Sequence, residues 1–171
     1  SSGSLENVPK GAAFYQIDIR DEGLTDIVRE HNIDIINHHA AQIDVRRSVD
    51  DPRYDLSVNV LGTLNVIDAG LRNHIKRLIF ASSGGAGYGE QEYYPADEKH
   101  PIAPCSPYGI TKVTVERYLY YYHLVQNMQY TVFRYTNVYG PRQNPHGEAG
   151  VVAIFCDKLL RGQQPVINGD G

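Results

Sequence analysis

Apolar and polar positions follow two different periods along the chain, and the alternation between them defines its elements. Segment 12–18, ending near Ile19, alternates in a way that predicts a strand. Residues 21–31 predict a short amphipathic helix, and 34–41 form a short apolar run ending in small residues. Residues 51–73 predict one long helix, with Pro52 near its start and Leu56, Val60, Leu64, Ile67 and Leu71 at helical spacing. A strand is predicted over 75–82 and a loop over 89–107, where Pro95, Pro101, Pro104 and Pro107 fall. A helix over 108–125, a strand over 129–136, a loop over 137–148 and a helix over 150–162 follow. Gly162 is a good C-terminal stop for that last helix. Strands alternating with helices of crossover length imply an α/β fold, with a parallel sheet and helices on both faces. Ligands in such sheets bind at the carboxyl ends of the strands.

Composition narrows the function classes. Hydrophobic residues make up 42% of the 171 and charged residues 21%, ordinary for a globular domain. The net charge of −4 does not favour a nucleic-acid surface. No apolar run approaches the ~20 residues that span a bilayer, and the opening Ser-Ser-Gly-Ser-Leu-Glu-Asn-Val-Pro-Lys has no signal-peptide pattern. Cys105 and Cys156 match no metal or redox spacing, so a reduced, cytoplasmic setting is the simplest reading. His38 and His39 are adjacent on a predicted strand and point to opposite faces, which argues against a shared metal, and no metal site is expected.

The candidate chemistry begins where the predicted strand 75–82 runs into Ser82-Ser83-Gly84-Gly85-Ala86-Gly87-Tyr88-Gly89. Neither a dinucleotide fingerprint nor a P-loop fits these glycines, and the polar, proline-bearing segment that follows is not helical. Two readings remain: a flexible turn after a strand, or a strand end where glycines let a ligand approach the backbone. Downstream, Tyr108 and Lys112 stand four residues apart at the start of a helix and therefore share a face. A lysine cation beside a tyrosine favours the phenolate, a serine hydroxyl completes a proton relay, and such a tyrosine can act as a base. The spacing alone is equally that of a solvent-facing tyrosine and an unrelated lysine.

Several ordered stretches carry a resemblance. They are Asp18–Asp21 (DIRD), 37–52 (NHHAAQIDVRRSVDDP), 59–69 (NVLGTLNVIDA), 80–90 (FASSGGAGYGE), 106–112 (SPYGITK), 133–143 (FRYTNVYGPRQ) and the tail GQQPVINGDG. With these, the chain resembles an extended short-chain dehydrogenase/reductase of the NAD-dependent sugar-nucleotide epimerase/dehydratase group, over nearly its whole length. The resemblance implies a Rossmann-like doubly wound parallel sheet and NAD as cofactor. It implies Tyr108 as general base, Lys112 as its partner reaching the nicotinamide ribose, and Ser83 as the catalytic serine. It further implies Asp18 and Ile19 at the adenine, with His39, Ala40, Ala41, Gln42, Asn59, Ser82 and Tyr135 also along the cofactor. Ser83, Gly84, Tyr108, Asn137, Val166 and Asn168 would meet a nucleotide-sugar substrate. Locally, Asp18 reads equally as a cap or turn residue, Ala40 and Ala41 as tight packing, and Asn59 as an ordinary polar helix position.

Within the group, the dehydratases and decarboxylating members place a carboxylate in the stretch that here runs Ser83–Gly89. Its absence favours an enzyme that only moves a hydride, epimerising C4 of a UDP-glucose/UDP-galactose type sugar. A dehydratase, a reductase or a non-catalytic binding relative are the alternatives. Gly87 departs from the valine or isoleucine usual there. The family's glycine-rich fingerprint would lie upstream of the opening Ser-Ser-Gly-Ser. The chain therefore resembles the middle of a longer enzyme: a partial NAD-binding domain missing the first β-α-β unit and most of the C-terminal substrate domain. The substrate-binding region would start at about 140–171. By itself this segment is expected to hold NAD negligibly. The family's usual homodimer would form through helices 52–73 and 108–125.

Overall fold

The computed structural model describes residues 3–146 and 150–167. Its sheet has three parallel strands in the order β1 (Ile35–His38), β2 (Arg77–Ser83) and β3 (Tyr130–Tyr135). Ile35 lies opposite Arg77 and Leu78 opposite Tyr130. Around it run α1 (Leu24–Glu30), α2 (Val45–Asp50), α3 (Pro52–Leu56), a π-helical turn (Ser57–Leu61), α4 (Gly62–Arg72), α5 (Gly84–Tyr88), α6 (Pro107–Gln126) and α7 (Val151–Leu160).

Right-handed crossovers that carry the chain from β1 to β2 and on to β3 put both connections on one face of the sheet. The core agrees: Leu78 and Phe80 of β2 pack with Val66 and Ile67 of α4 and Val115 and Leu119 of α6 in a single cluster. The period-2 alternation of β2 sends Leu78, Phe80 and Ser82 into that layer and leaves Ile79, Ala81 and Ser83 on the other face, partly exposed. Ile35 and Phe133 remain 53% and 45% exposed.

Three local expectations are corrected, and one further helix is added. Segment 12–19 is not a strand: residues 12–18 hold no regular structure and Ile19 lies in a turn, because no strand among the described residues pairs with the segment; alternation of side chains becomes a strand only with a pairing partner. The expected helix 51–73 is interrupted by the π turn, which inserts one extra residue per turn and shifts the buried stripe by one position. Upstream of it Asp55, not Leu56, is buried: Asp55 is fully enclosed and Leu56 is 48% exposed. A further helix, α2, precedes it, capped by Asp44, whose carboxylate accepts from the Arg47 N–H. Finally, the glycines after Ser83 are not a flexible turn. They form the single turn of α5, capped by the Ser83 hydroxyl, which accepts from the Ala86 N–H at 3.2 Å.

The N-terminus of α6 is built for accuracy. Ser106 caps it through the Gly109 N–H at 3.1 Å, and Pro107 occupies its first turn. The preceding loop is pinned by buried His100, which accepts from the Glu92 N–H through Nε2 and meets the Pro101 carbonyl through Nδ1. Gly89 closes α5 at φ 68°, ψ −142°, a conformation essentially restricted to glycine.

Candidate active site

Tyr108 and Lys112 open α6 just beyond the carboxyl ends of the strands. The Tyr108 backbone N–H donates to Ser48 Oγ of α2 at 3.2 Å, so the turn that carries the phenol is tied to a second helix. One turn on, the Lys112 side chain runs inward until only 4% of the residue is exposed. Its Nζ donates to the Ala81 carbonyl at 2.8 Å, two residues before Ser83. The ammonium stands 4.9 Å from the Phe80 ring centre and 5.7 Å from that of Tyr108. Gly109 lets α5 and α6 touch, since a Cβ there would collide with the Ala86 carbonyl oxygen. Ser83, which caps α5, is thereby held beside the helix that carries Tyr108.

The electrostatics differ from the expectation that Lys112 makes Tyr108 acidic. Burial and the nearby Asp55 carboxylate raise the Tyr108 phenol above its ordinary range. Lys112 is itself pulled down to about 8 by burial, with Asp55 opposing that fall. The Lys112 ammonium bonds the Ala81 carbonyl and stands 5.7 Å from the Tyr108 ring centre, while burial and Asp55 hold the phenol protonated, so ionisation of Tyr108 calls for a further positive charge.

The other predicted residues separate by their place in the fold. Tyr135 and His39 come together at the strand ends, with ring centres 5.9 Å apart, and Ala40 is exposed beside them with Ala41 half-buried. Gln42 and Asn59 are buried and turned toward each other. Asn59 Oδ1 accepts from the Gln42 N–H, and Asn59 Nδ2 donates to the Gln42 carbonyl and to Asp55 Oδ1. Gln42 Nε2 donates to the Asp44 carbonyl and to Asp55 Oδ1. Their side chains shape the loop after β1 and offer it no free polar group. Ser82 likewise faces the helix layer, where its hydroxyl donates to Glu116 Oε1 at 2.5 Å, and Glu116 pairs with Arg134 at 2.7 Å.

Asp18 lies farther off, exposed and chelated by Arg20. The Arg20 side-chain bonds, then its backbone N–H, lower the Asp18 carboxyl to about 2. Ile19 packs its side chain against the core and gives its carbonyl to Asn65 Nδ2 at 2.8 Å. Gly84 is buried in α5, while Asn137 and Val166 are exposed on the segments after β3 and α7. Asn168 lies outside the described residues.

Sequence reasoning missed Ser48, Asp55, Gly109 and Thr111. Only Gly109 left a signal, by its place directly after Tyr108. The burial of Asp55 follows from the π turn, which no periodicity announces.

His38 faces the helix layer, its Nε2 2.9 Å from Thr63 Oγ1, while His39 faces the opposite side, as adjacent strand residues must. Burial first, then Lys112 and His39, lower the His38 imidazole to about 4. Its free form takes up a proton near pH 6.5, so acid favours the unfolded chain between about pH 6.5 and about pH 4. That window is expected to remove about 3 kcal/mol of stability. Urea titrations at pH 7 and pH 4 should show this loss, and His38→Gln should lose correspondingly less.

The model of the NAD dependent epimerase/dehydratase family matches residues 1–171. The chain belongs to that family. As a member, it has NAD as its cofactor. A UDP-glucose 4-epimerase of Mycolicibacterium smegmatis is 44% identical over 176 aligned residues, covering all of this chain and 56% of that one. The crystal structure of UDP-glucose 4-epimerase with UDP-glucose from Thermotoga maritima superposes with a TM-score of 0.96 at 43% identity, over 100% of this chain and 56% of the other. The Thermus thermophilus UDP-glucose 4-epimerase in complex with NAD gives a TM-score of 0.91 at 46% identity, over 97% and 54%. The chain thus spans about half the length of these relatives, and its three-stranded sheet is part of a Rossmann-like fold.

The family's cofactor fits the residues present. The Lys112 ammonium makes one hydrogen bond among the described residues, to Ala81, which leaves N–H groups for ribose hydroxyls. Small Ala40 and Ala41 border the same strand ends without bulk. Among the described residues no helix is long and apolar enough to cross a membrane.

Proposed function

We propose that the protein carrying this chain epimerises C4 of a nucleotide sugar of the UDP-glucose/UDP-galactose type. The observation that supports this most is the placement of Tyr108 beside the buried Lys112 ammonium, which is bonded to the Ala81 carbonyl at 2.8 Å, just before Ser83. Tyr108 would take the proton of the C4 hydroxyl, with the Ser83 hydroxyl sharing it. Lys112 would hold the nicotinamide ribose and add positive charge behind the phenol. NAD supplies the transient hydride acceptor. Gly85, where an added methyl would meet nothing within 4 Å, would leave room for the 4-keto sugar to turn, whereas Gly84 packs against the Arg134 carbonyl of β3. Tyr108 would return the proton once hydride arrives on the other face.

Asp18 and Ile19 would meet the adenine, and His39, Ala40, Ala41 and Tyr135 would border the cofactor. Asn137, Val166 and Asn168 would approach the substrate's nucleotide side. Gln42, Asn59 and Ser82 act from behind, through the bonds described above. Residues 1–171 would then form part of the NAD-binding domain, with the substrate region starting near 140. A homodimer through 52–73 and 108–125 is supported by the exposed Leu61, Ile110, Tyr121 and Leu124 on those helices. A cytoplasmic setting suits the two free cysteines.

The second reading, a dehydratase, is favoured by a 35% identical dTDP-glucose 4,6-dehydratase of Actinoplanes sp.. The segment Ser83–Gly89, which contains no carboxylate, weighs against it. Incubating the full-length protein with UDP-glucose decides between them. UDP-galactose is expected; release of a 4-keto-6-deoxy sugar would refute the epimerase reading.

A further inference from the structure

We propose that Asp55 is a positioning residue for the Tyr108–Lys112 pair, a fully buried carboxylate that docks the first turns of α6 and presents negative charge to both groups. The proposal rests on the function argued above. Asp55 Oδ1 accepts from Gln42 Nε2 and Asn59 Nδ2, each at 3.0 Å, and Oδ2 accepts from Thr111 Oγ1 at 2.7 Å. One side chain therefore joins the loop after β1, the π turn and α6. Thr111 is the residue before Lys112, and its hydroxyl also lies 3.0 Å from the Tyr108 carbonyl.

A carboxylate with no exposed surface is costly unless its charge is compensated. The three donors around Asp55 are neutral, so cationic compensation comes through space, from Lys112. That lysine is buried as well, forms its one hydrogen bond among the described residues with a carbonyl, and would give up its proton more readily without Asp55. Among the described residues, Asp55 on α3 acts on both Tyr108 and Lys112 of α6, and Lys112 acts in turn on His38 of β1. His38 is held neutral near pH 7, so Lys112 supplies the positive charge among them. Asp55 favours the protonated form of both Tyr108 and Lys112. It thus retains the cation that the relay needs at the expense of a more reluctant base.

Asp55→Asn is a clean probe. The amide oxygen still accepts from Gln42 and Asn59, and the amide nitrogen donates to Thr111 Oγ1, which turns its hydrogen to the Tyr108 carbonyl. In the full-length protein, both limbs of the kcat/KM pH profile are expected to move to lower pH. Independently of turnover and cofactor, the Lys112 Cε NMR titration, assigned by its loss in Lys112→Arg, should also move to lower pH. Thr111→Val, which cuts the tie and keeps the charge, should lower kcat and leave the Lys112 midpoint in place. An unmoved midpoint in Asp55→Asn, or undiminished kcat in Thr111→Val, overturns the proposal. A moved midpoint without detectable turnover would uphold Asp55's charge on Lys112 and refute the epimerase reading instead.

Discussion

Tyr108→Phe is expected to lower turnover by about 10²–10⁴-fold, the range typical for loss of a positioned acid–base group. The change removes one oxygen and leaves the ring, the backbone bond to Ser48 at 3.2 Å and the contact with Lys112 in place. Binding of NAD and of the UDP-sugar should therefore survive. The discriminating pair of measurements is kcat against the dissociation constant of UDP-glucose in the full-length protein. Loss of affinity with kcat preserved would mean that Tyr108 grips substrate and that the base lies elsewhere. Since burial and Asp55 raise the phenol, activity should also climb with pH until Lys112, at about 8, begins to lose its charge.

The second large effect is expected from Gly109→Ala. The added methyl would meet the Ala86 carbonyl oxygen, a backbone atom that cannot rotate away, and would press on Pro104 as well. Overpacking of this kind costs about 1–3 kcal/mol. The kinetic effect should be larger, because relief requires α5 to move away from α6 and so displaces Ser83 from Tyr108. A shift of about 1 Å between reacting groups can cost ~10²-fold. Gly85→Ala, where the methyl meets nothing within 4 Å, is the stability control. Equal melting temperatures for the two variants would show that the α5–α6 approach is looser than described.

These expectations draw on parts of the molecule that were unequally legible beforehand. β2, β3 and α6 could be read because each is a local run, short and apolar for the strands and long and proline-free for the helix, although Pro107, assigned to the loop, proves to be the first residue of α6. Helical spacing placed Tyr108 and Lys112 on one face, and the family resemblance, not the spacing, gave them roles. Segment 12–19 misled because a strand exists only with a partner, and pairing is a property of the whole sheet. α5 was missed because glycines favour no helix on their own; the Ser83 cap and the close approach of α6 impose it. The bond of the Lys112 ammonium to the Ala81 carbonyl depends on where β2 runs beneath α6, which helical spacing does not reveal. Gln42, Asn59 and Asp55 form one buried set, yet they come from two segments with no common pattern.

The π turn at Ser57–Leu61 works like a gear with one tooth added. Removing a single residue there would return Leu56 to the interior and expel Asp55, converting a polar joint into ordinary hydrophobic packing. An alanine scan of 52–72 should thus show two phases of sensitivity, offset by one position, rather than one continuous stripe. Length within this run is therefore under tighter constraint than the identity of most of its side chains.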